Sequence, residues 1–143
     1  MPHTIQPGSP ADFDFIIGDW RVMHRRLNSR LNGCTEWTEF PGTSSTRKIL
    51  GGFGNVEDNV LKFPDGEARA AAFRSFSAKT RTWAIWWLDG RTPHNLDVPV
   101  IGTFAGSVGT FLANDRLDGK PITVRFTWHA NPGSNPVWEQ AFS

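Results

Sequence analysis

Along most of the chain, apolar and polar residues alternate in short runs, and no convincing amphipathic helix lies between them. The runs are Phe15 to Leu27, Thr35 to Phe40, Thr46 to Leu50, Asn55 to Phe63, Ala68 to Ser77, Thr82 to Leu88, Val100 to Phe104, Thr110 to Leu117, Ile122 to His129 and Val137 to Phe142. Strong turn formers separate them: Pro41-Gly42, Gly51-Gly52, Pro64-Asp65-Gly66, Asp89-Gly90, Ala105-Gly106, Asp118-Gly119-Lys120-Pro121 and Asn131-Pro132-Gly133. Turns recur about every 8 to 15 residues, a rhythm that predicts an all-β fold of about ten antiparallel strands in one meander. Closure into an up-and-down barrel is favoured over a sandwich because it removes exposed sheet edges. The last run stops at Phe142-Ser143, so either a final strand is missing or that edge is covered in another way. Residues 1–12 hold three prolines and no apolar period, and are read as an extended N-terminal arm on a single barrel domain of residues 13–143.

Composition narrows the options. With 143 residues the chain fits one domain, and 7 Trp and 11 Phe with no Tyr mean that a few large rings supply much of the buried area. A net charge of +1 gives no field to draw in nucleic acid or an anionic membrane, so neither is expected as a partner. Cys34 stands alone and cannot close an internal disulfide, which makes the cytoplasm the expected compartment. The first ten residues lack the basic and apolar regions of a secretion signal, and no run of about 18 apolar residues could span a bilayer. His3, His24, His94 and His129 show no metal-ligand spacing, so no metal is expected. Gly51-Gly52-Phe53-Gly54 lacks the lysine and helix of a phosphate loop and suits a tight bend.

Phe13-Asp14-Phe15-Ile16-Ile17-Gly18-Asp19-Trp20 places Gly-x-Trp on the first strand, a hallmark of lipocalin-like, or calycin, barrels. Taken with His24-Arg25-Arg26-Leu27, Glu36-Trp37-Thr38-Glu39-Phe40, Leu50-Gly51-Gly52-Phe53-Gly54-Asn55-Val56, Trp83-Ala84-Ile85-Trp86-Trp87 and Trp138-Glu139-Gln140-Ala141-Phe142-Ser143, it resembles a family of small bacterial lipocalin-like proteins. The resemblance covers nearly everything from Phe13 onward. It implies the barrel fold but no reaction, since the family has none established, and its members usually continue past the Trp138 segment into another strand. A haem-binding branch of small calycins offers only His129 for comparison, and no cofactor is carried over.

Period-2 alternation puts Trp20, Val22, His24 and Arg26 on one face of the first strand, and the Gly-x-Trp analogy turns that face inward. An imidazole beside a guanidinium there could hold an anion or move a proton; the simpler reading is a surface strand. Asn55, Glu57, Asn59 and Leu61 share a face, which either meets solvent or lines a polar pocket. In the pocket case the buried amide and carboxylate need partners, and Arg74, Arg125 or His24 could supply them. Trp83, Ile85 and Trp87 alternate with Ala84, Trp86 and Leu88, so this strand is apolar on both faces, and one face needs cover from the arm, a ligand or a second subunit. The polar segment Asp89 to Pro99, with His94, could form a lid but more simply forms a solvated connection.

The leading expectation is therefore a small-molecule binder. Trp20, Trp37, Trp87 and Trp128 would form its aromatic walls, and His24, Glu39, Asn55, Glu57 and Arg74 would select polar groups. A cofactor-free isomerase, cyclase or hydrolase using His24, Glu39 or Glu57 is the second possibility. A homodimer through the two-faced Trp83 to Leu88 strand, without a ligand, is the third.

Overall fold

The computed structural model describes residues 8–27 and 36–143. The structure is all-β: among the described residues nine strands form one antiparallel sheet in which every strand pairs with the next in sequence. They are β1 (Gly18–Leu27), β2 (Trp37–Ile49), β3 (Gly54–Phe63), β4 (Gly66–Ser77), β5 (Thr82–Asp89), β6 (Val100–Ala105), β7 (Val108–Leu117), β8 (Lys120–His129) and β9 (Val137–Phe142). Among the described residues no helix is long and apolar enough to cross a membrane. The expected Asn28 to Gly33 turn, Cys34, His3 and the first seven residues of the arm lie outside the described residues.

Nine strands replace the expected ten because the runs around Thr35–Phe40 and Thr46–Leu50 are one long strand, β2. Pro41-Gly42, read from sequence as a turn, lies inside it. Pro41 pairs with Met23 on β1 but sits just beyond the first β2–β3 pair, Gly42 with Leu61, in the edge-like setting where a strand tolerates proline. Gly42 serves close approach instead of a turn. A Cβ there would lie 2.5 Å from the Val60 carbonyl oxygen and 2.9 Å from His24 Nε2. The bend expected at the glycine run is real: Leu50–Gly52 form a short 3-10 turn with left-handed backbone at Leu50, Gly51 and Gly52.

The sheet is a curled half-barrel in which β1 and β9 remain unpaired with each other. Curl follows from the contacts of one ring. Phe13 has ring contacts with Trp83 on β5, Phe104 on β6, Phe111 on β7 and Trp128 on β8, at centroid separations of 5.0 to 6.0 Å, and the Arg74 guanidinium on β4 lies 5.1 Å from it. Five neighbouring strands in a flat sheet span roughly 19 Å, beyond the reach of one phenyl group. The sheet must wrap around it.

Phe13 belongs to a segment that the alternation had assigned to the arm and the start of the first strand. Asp14–Ile16 form a 3-10 turn, and β1 begins only at Gly18. Residues 8–16 fold back into the concave face. The Arg81 guanidinium donates to the Gly8 carbonyl (2.8 Å), Trp83 Nε1 to Asp12 Oδ2 (3.2 Å) and Trp20 Nε1 to the Ile16 carbonyl (2.9 Å). Phe13 and Ile16 join Phe76, Trp83, Ile85, Val100, Phe111, Ile122, Val124, Phe126 and Trp128 in the larger core cluster. A smaller one, Phe40, Leu61, Ala68 and Ala70 with Phe63 and Trp87 against it, occupies the opposite end of β3 and β4.

Candidate functional site

Between the two apolar clusters runs a belt of buried polar side chains on the concave face: Ser44 and Thr46 on β2, Asn55, Glu57 and Asn59 on β3, and Arg74 on β4. Alternation places all six on the same side as Phe40 and Leu61. Ladder pairing makes them neighbours: Ser44 opposes Asn59, Thr46 opposes Glu57, and Asn55 opposes Arg74. The polar face of β3 is thus its inner face, although a solvent-facing strand was the simpler expectation.

Arg74, only 3% exposed, is the centre of the belt. Its Nη1 donates to Asn55 Oδ1 (2.8 Å), its Nη2 to Glu57 Oε1, and Ser44 Oγ donates to the other carboxylate oxygen (2.7 Å). Its guanidinium carbon lies 5.1 Å from the Phe13 ring centroid and 5.4 Å from that of Trp128. Burying either charge alone would be costly; here each has an opposite charge and further hydrogen bonds. Arg125, the other guanidinium considered for this role, is exposed, on the opposite face of β8.

Not every polar atom of the belt is satisfied. Among the described residues Thr46 Oγ1, Asn59 Nδ2 and Arg74 Nε of the belt are buried without a hydrogen-bond partner, as are Trp128 Nε1 on β8 beside it and Thr103 Oγ1 on β6. Each such group costs roughly 1–3 kcal/mol relative to a paired one.

The lip of the concave face is formed by β1, whose half-buried Trp20, Val22 and His24 point inward. The His24 imidazole stacks on Phe40 at 4.9 Å, and Phe40 packs on Phe63 at 4.5 Å. Arg26 Cζ lies 5.7 Å and Arg91 Cζ 5.0 Å from the Phe63 centroid, so an aromatic wall runs from the belt to a cationic rim. Burial pushes His24 below the ordinary imidazole value of 6.5, and the Glu57 charge pulls it partly back. The unfolded chain therefore binds the His24 proton more readily than the folded one, and this contribution to stability is complete above about pH 6.5 and lost as pH falls below it. Replacing His24 by Phe, which keeps a ring on Phe40, is expected to flatten the dependence of the urea midpoint on pH between about 7.5 and 5.5. An unchanged slope in the variant would exclude His24 as its source.

The remaining expected residues divide. Trp87 is half-buried on the concave face against the smaller cluster, and Trp128 is buried against Phe13. Trp37 and Glu39 do not join them, a correction to their expected inward placement. Both stand on the outer face of β2, where the Arg25 guanidinium lies 4.2 Å from the Trp37 ring centroid and 3.9 Å from Glu39. The Phe40 ring fixes the phase of the strand, and residues of opposite parity must face out. Glu57 accepts hydrogen bonds on both oxygens and Glu39 faces away, which leaves His24 as the one of the three suggested proton carriers that both faces inward and is unengaged by the belt's hydrogen bonds. In the 89–99 connection Asp89 holds Arg91 by a bidentate pair, and the Asp97 amide donates to the Trp87 carbonyl; His94 is exposed.

Sequence reasoning missed Ser44 and Thr46 as members of the belt. Their signal was the period-2 series Phe40, Gly42, Ser44, Thr46, visible only if Pro41-Gly42 is read as strand. A depression of about 440 Å³ lies along β1–β3, bordered by Asp19, Arg21, Thr43, Ser45, Asp58 and Val60 of the outer face together with Trp20 and the belt residue Ser44. Among the described residues no group of three or more His, Cys, Asp or Glu could hold a metal ion. No protein-family model matches the chain, and no curated protein matches it.

Proposed function

We propose that this protein is a small-molecule binding module that holds a partly apolar ligand against the concave face of its lipocalin-like sheet, in the cytoplasm. The observation that carries this reading is the polar belt itself: six buried polar side chains between two apolar clusters, with unpaired hydrogen-bonding atoms among them. Ligand sites combine an apolar wall with a few convergent polar groups. The His24, Phe40, Phe63 and Trp87 side chains supply the wall, and β1, which pairs with β2 alone, is the open side of the sheet.

A second reading, a homodimer without a ligand, rests on the outer face. There Phe73 opposes Trp86, and Ile101 (51% exposed) opposes Leu112 (49% exposed). One experiment separates the two. Native mass spectrometry of gently purified full-length protein, compared with its denatured mass, is expected to give a monomer with excess mass that denaturation removes. Titration with Nile red, a flat uncharged dye, is expected to quench tryptophan emission saturably. A bare dimer mass together with no response to Nile red would overturn the binding-module reading in favour of the dimer.

A further inference from the structure

Resting on that reading, we infer that the ligand is uncharged at the belt and meets it through an acceptor oxygen, such as a ketone, aldehyde, ester or amide carbonyl, on a flat apolar body. The inference comes from which atoms of the belt are used and which are not. The two terminal nitrogens of Arg74 already donate to Glu57 and Asn55, and both oxygens of Glu57 already accept. The fork formed by its two terminal nitrogens is thus already turned to Glu57 and Asn55, and its charge is already matched by the Glu57 carboxylate. An anion brought here would share one cation with Glu57 in a poorly solvated site, and like charges so placed disfavour each other.

What remains open is donor chemistry. Asn59 Nδ2, Arg74 Nε and Trp128 Nε1 are N–H groups that can only donate, and Thr46 Oγ1 can donate as well as accept. Asn59 is 5% exposed and Thr46 3%, and both point to the concave face. A single carbonyl oxygen, with two lone pairs, satisfies two such donors without adding charge. The flat body follows from the rings beside the belt, His24 stacked on Phe40 with Phe63 tilted by 35° against it, an aromatic set that favours a planar partner. Trp20 opposes Ser44 across the β1–β2 ladder, and Ser44 opposes Asn59, so a ligand passing the half-buried Trp20 arrives at Asn59.

Three probes of one shape test the assignment: 2-acetylnaphthalene, 2-ethylnaphthalene and 2-naphthoate, titrated into the full-length protein by calorimetry. The ketone is expected to bind about ten-fold more tightly than the hydrocarbon, the contribution of roughly one net hydrogen bond, and also more tightly than the carboxylate. In Asn59→Leu that advantage, read as the ratio of the two affinities in the same variant, is expected to shrink to about three-fold or less; Thr46→Val, a nearly isosteric change, is a second variant should Asn59→Leu fail to fold. Tightest binding by 2-naphthoate, or a ketone advantage unchanged in both variants, would overturn the uncharged-acceptor assignment and leave the binding module standing. Failure of all three probes and of Nile red would overturn both.

Discussion

Replacing Arg74 by Met is expected to destabilise the protein by about 3–5 kcal/mol, because it strands the Glu57 carboxylate, with only Ser44 to donate to it, in a buried site. The magnitude is set by desolvation. The Arg74 side chain is 3% exposed and that of Glu57 10%, so neither charge has water to fall back on when its partner is removed. The native pair is not thereby worth 3–5 kcal/mol over an apolar alternative; the loss measures the orphaned charge. The double variant Arg74→Met with Glu57→Leu is accordingly expected to recover most of the loss, and urea unfolding followed by tryptophan emission reads all three. If the double variant is as unstable as the sum of its single changes, the two residues do not act as a pair. Recovery would imply that the pair is dispensable for folding, which strengthens the case that it is there to arrange the belt.

Strand positions were legible in the sequence because turn chemistry and alternation are local properties. Eight of the nine strands overlap a single predicted run, and the ninth, β2, absorbs two. The error at β2 is instructive: Pro-Gly is a strong turn signal, but here Pro41 occupies a place with one ladder neighbour and Gly42 makes room for the Val60 carbonyl and His24. Nothing local announces either circumstance.

Which face of each strand turns inward was less legible, since period-2 alternation divides residues into two sets without saying which is buried. On β1 the Gly-x-Trp resemblance supplied the phase, and Trp20, Val22 and His24 do point inward. On β3 both faces carry apolar and polar residues, so neither hydrophobicity nor charge could choose between Asn55-Glu57-Asn59 and Val56-Asp58-Val60. The choice is made by Arg74 on the neighbouring strand and by Phe13, more than 40 positions away in sequence, which together give the polar set its partners. Trp37 and Glu39 were misplaced for a related reason: aromatic and acidic side chains read alike for a lumen and for a surface where Arg25 packs over the ring. The site therefore emerges from long-range pairing, which a single sequence encodes only implicitly.

Phe13→Ala is expected to cost about 3–5 kcal/mol, the usual loss for truncating a fully buried phenylalanine, and that is a large share of the stability of a domain this size. The ring is 1% exposed and touches four consecutive strands, so no single side chain can move in to fill the space it leaves. Phe15, half-buried and in contact with Phe13, Phe104 and Trp128, is expected to cost less on the same change because solvent already reaches it. Truncating Phe13 also uncovers one face of the Arg74 guanidinium, so the Phe13→Ala and Arg74→Met losses are expected to be non-additive, their combined effect smaller than the sum. Equilibrium unfolding of the two single variants and the double gives the coupling directly. A Phe13→Ala loss below about 1 kcal/mol would mean that the N-terminal segment is a detachable cover and not part of the core. Strict additivity would mean that Phe13 stabilises the sheet without bearing on the belt, and that the cation between its two rings is held by Glu57 and Asn55 alone.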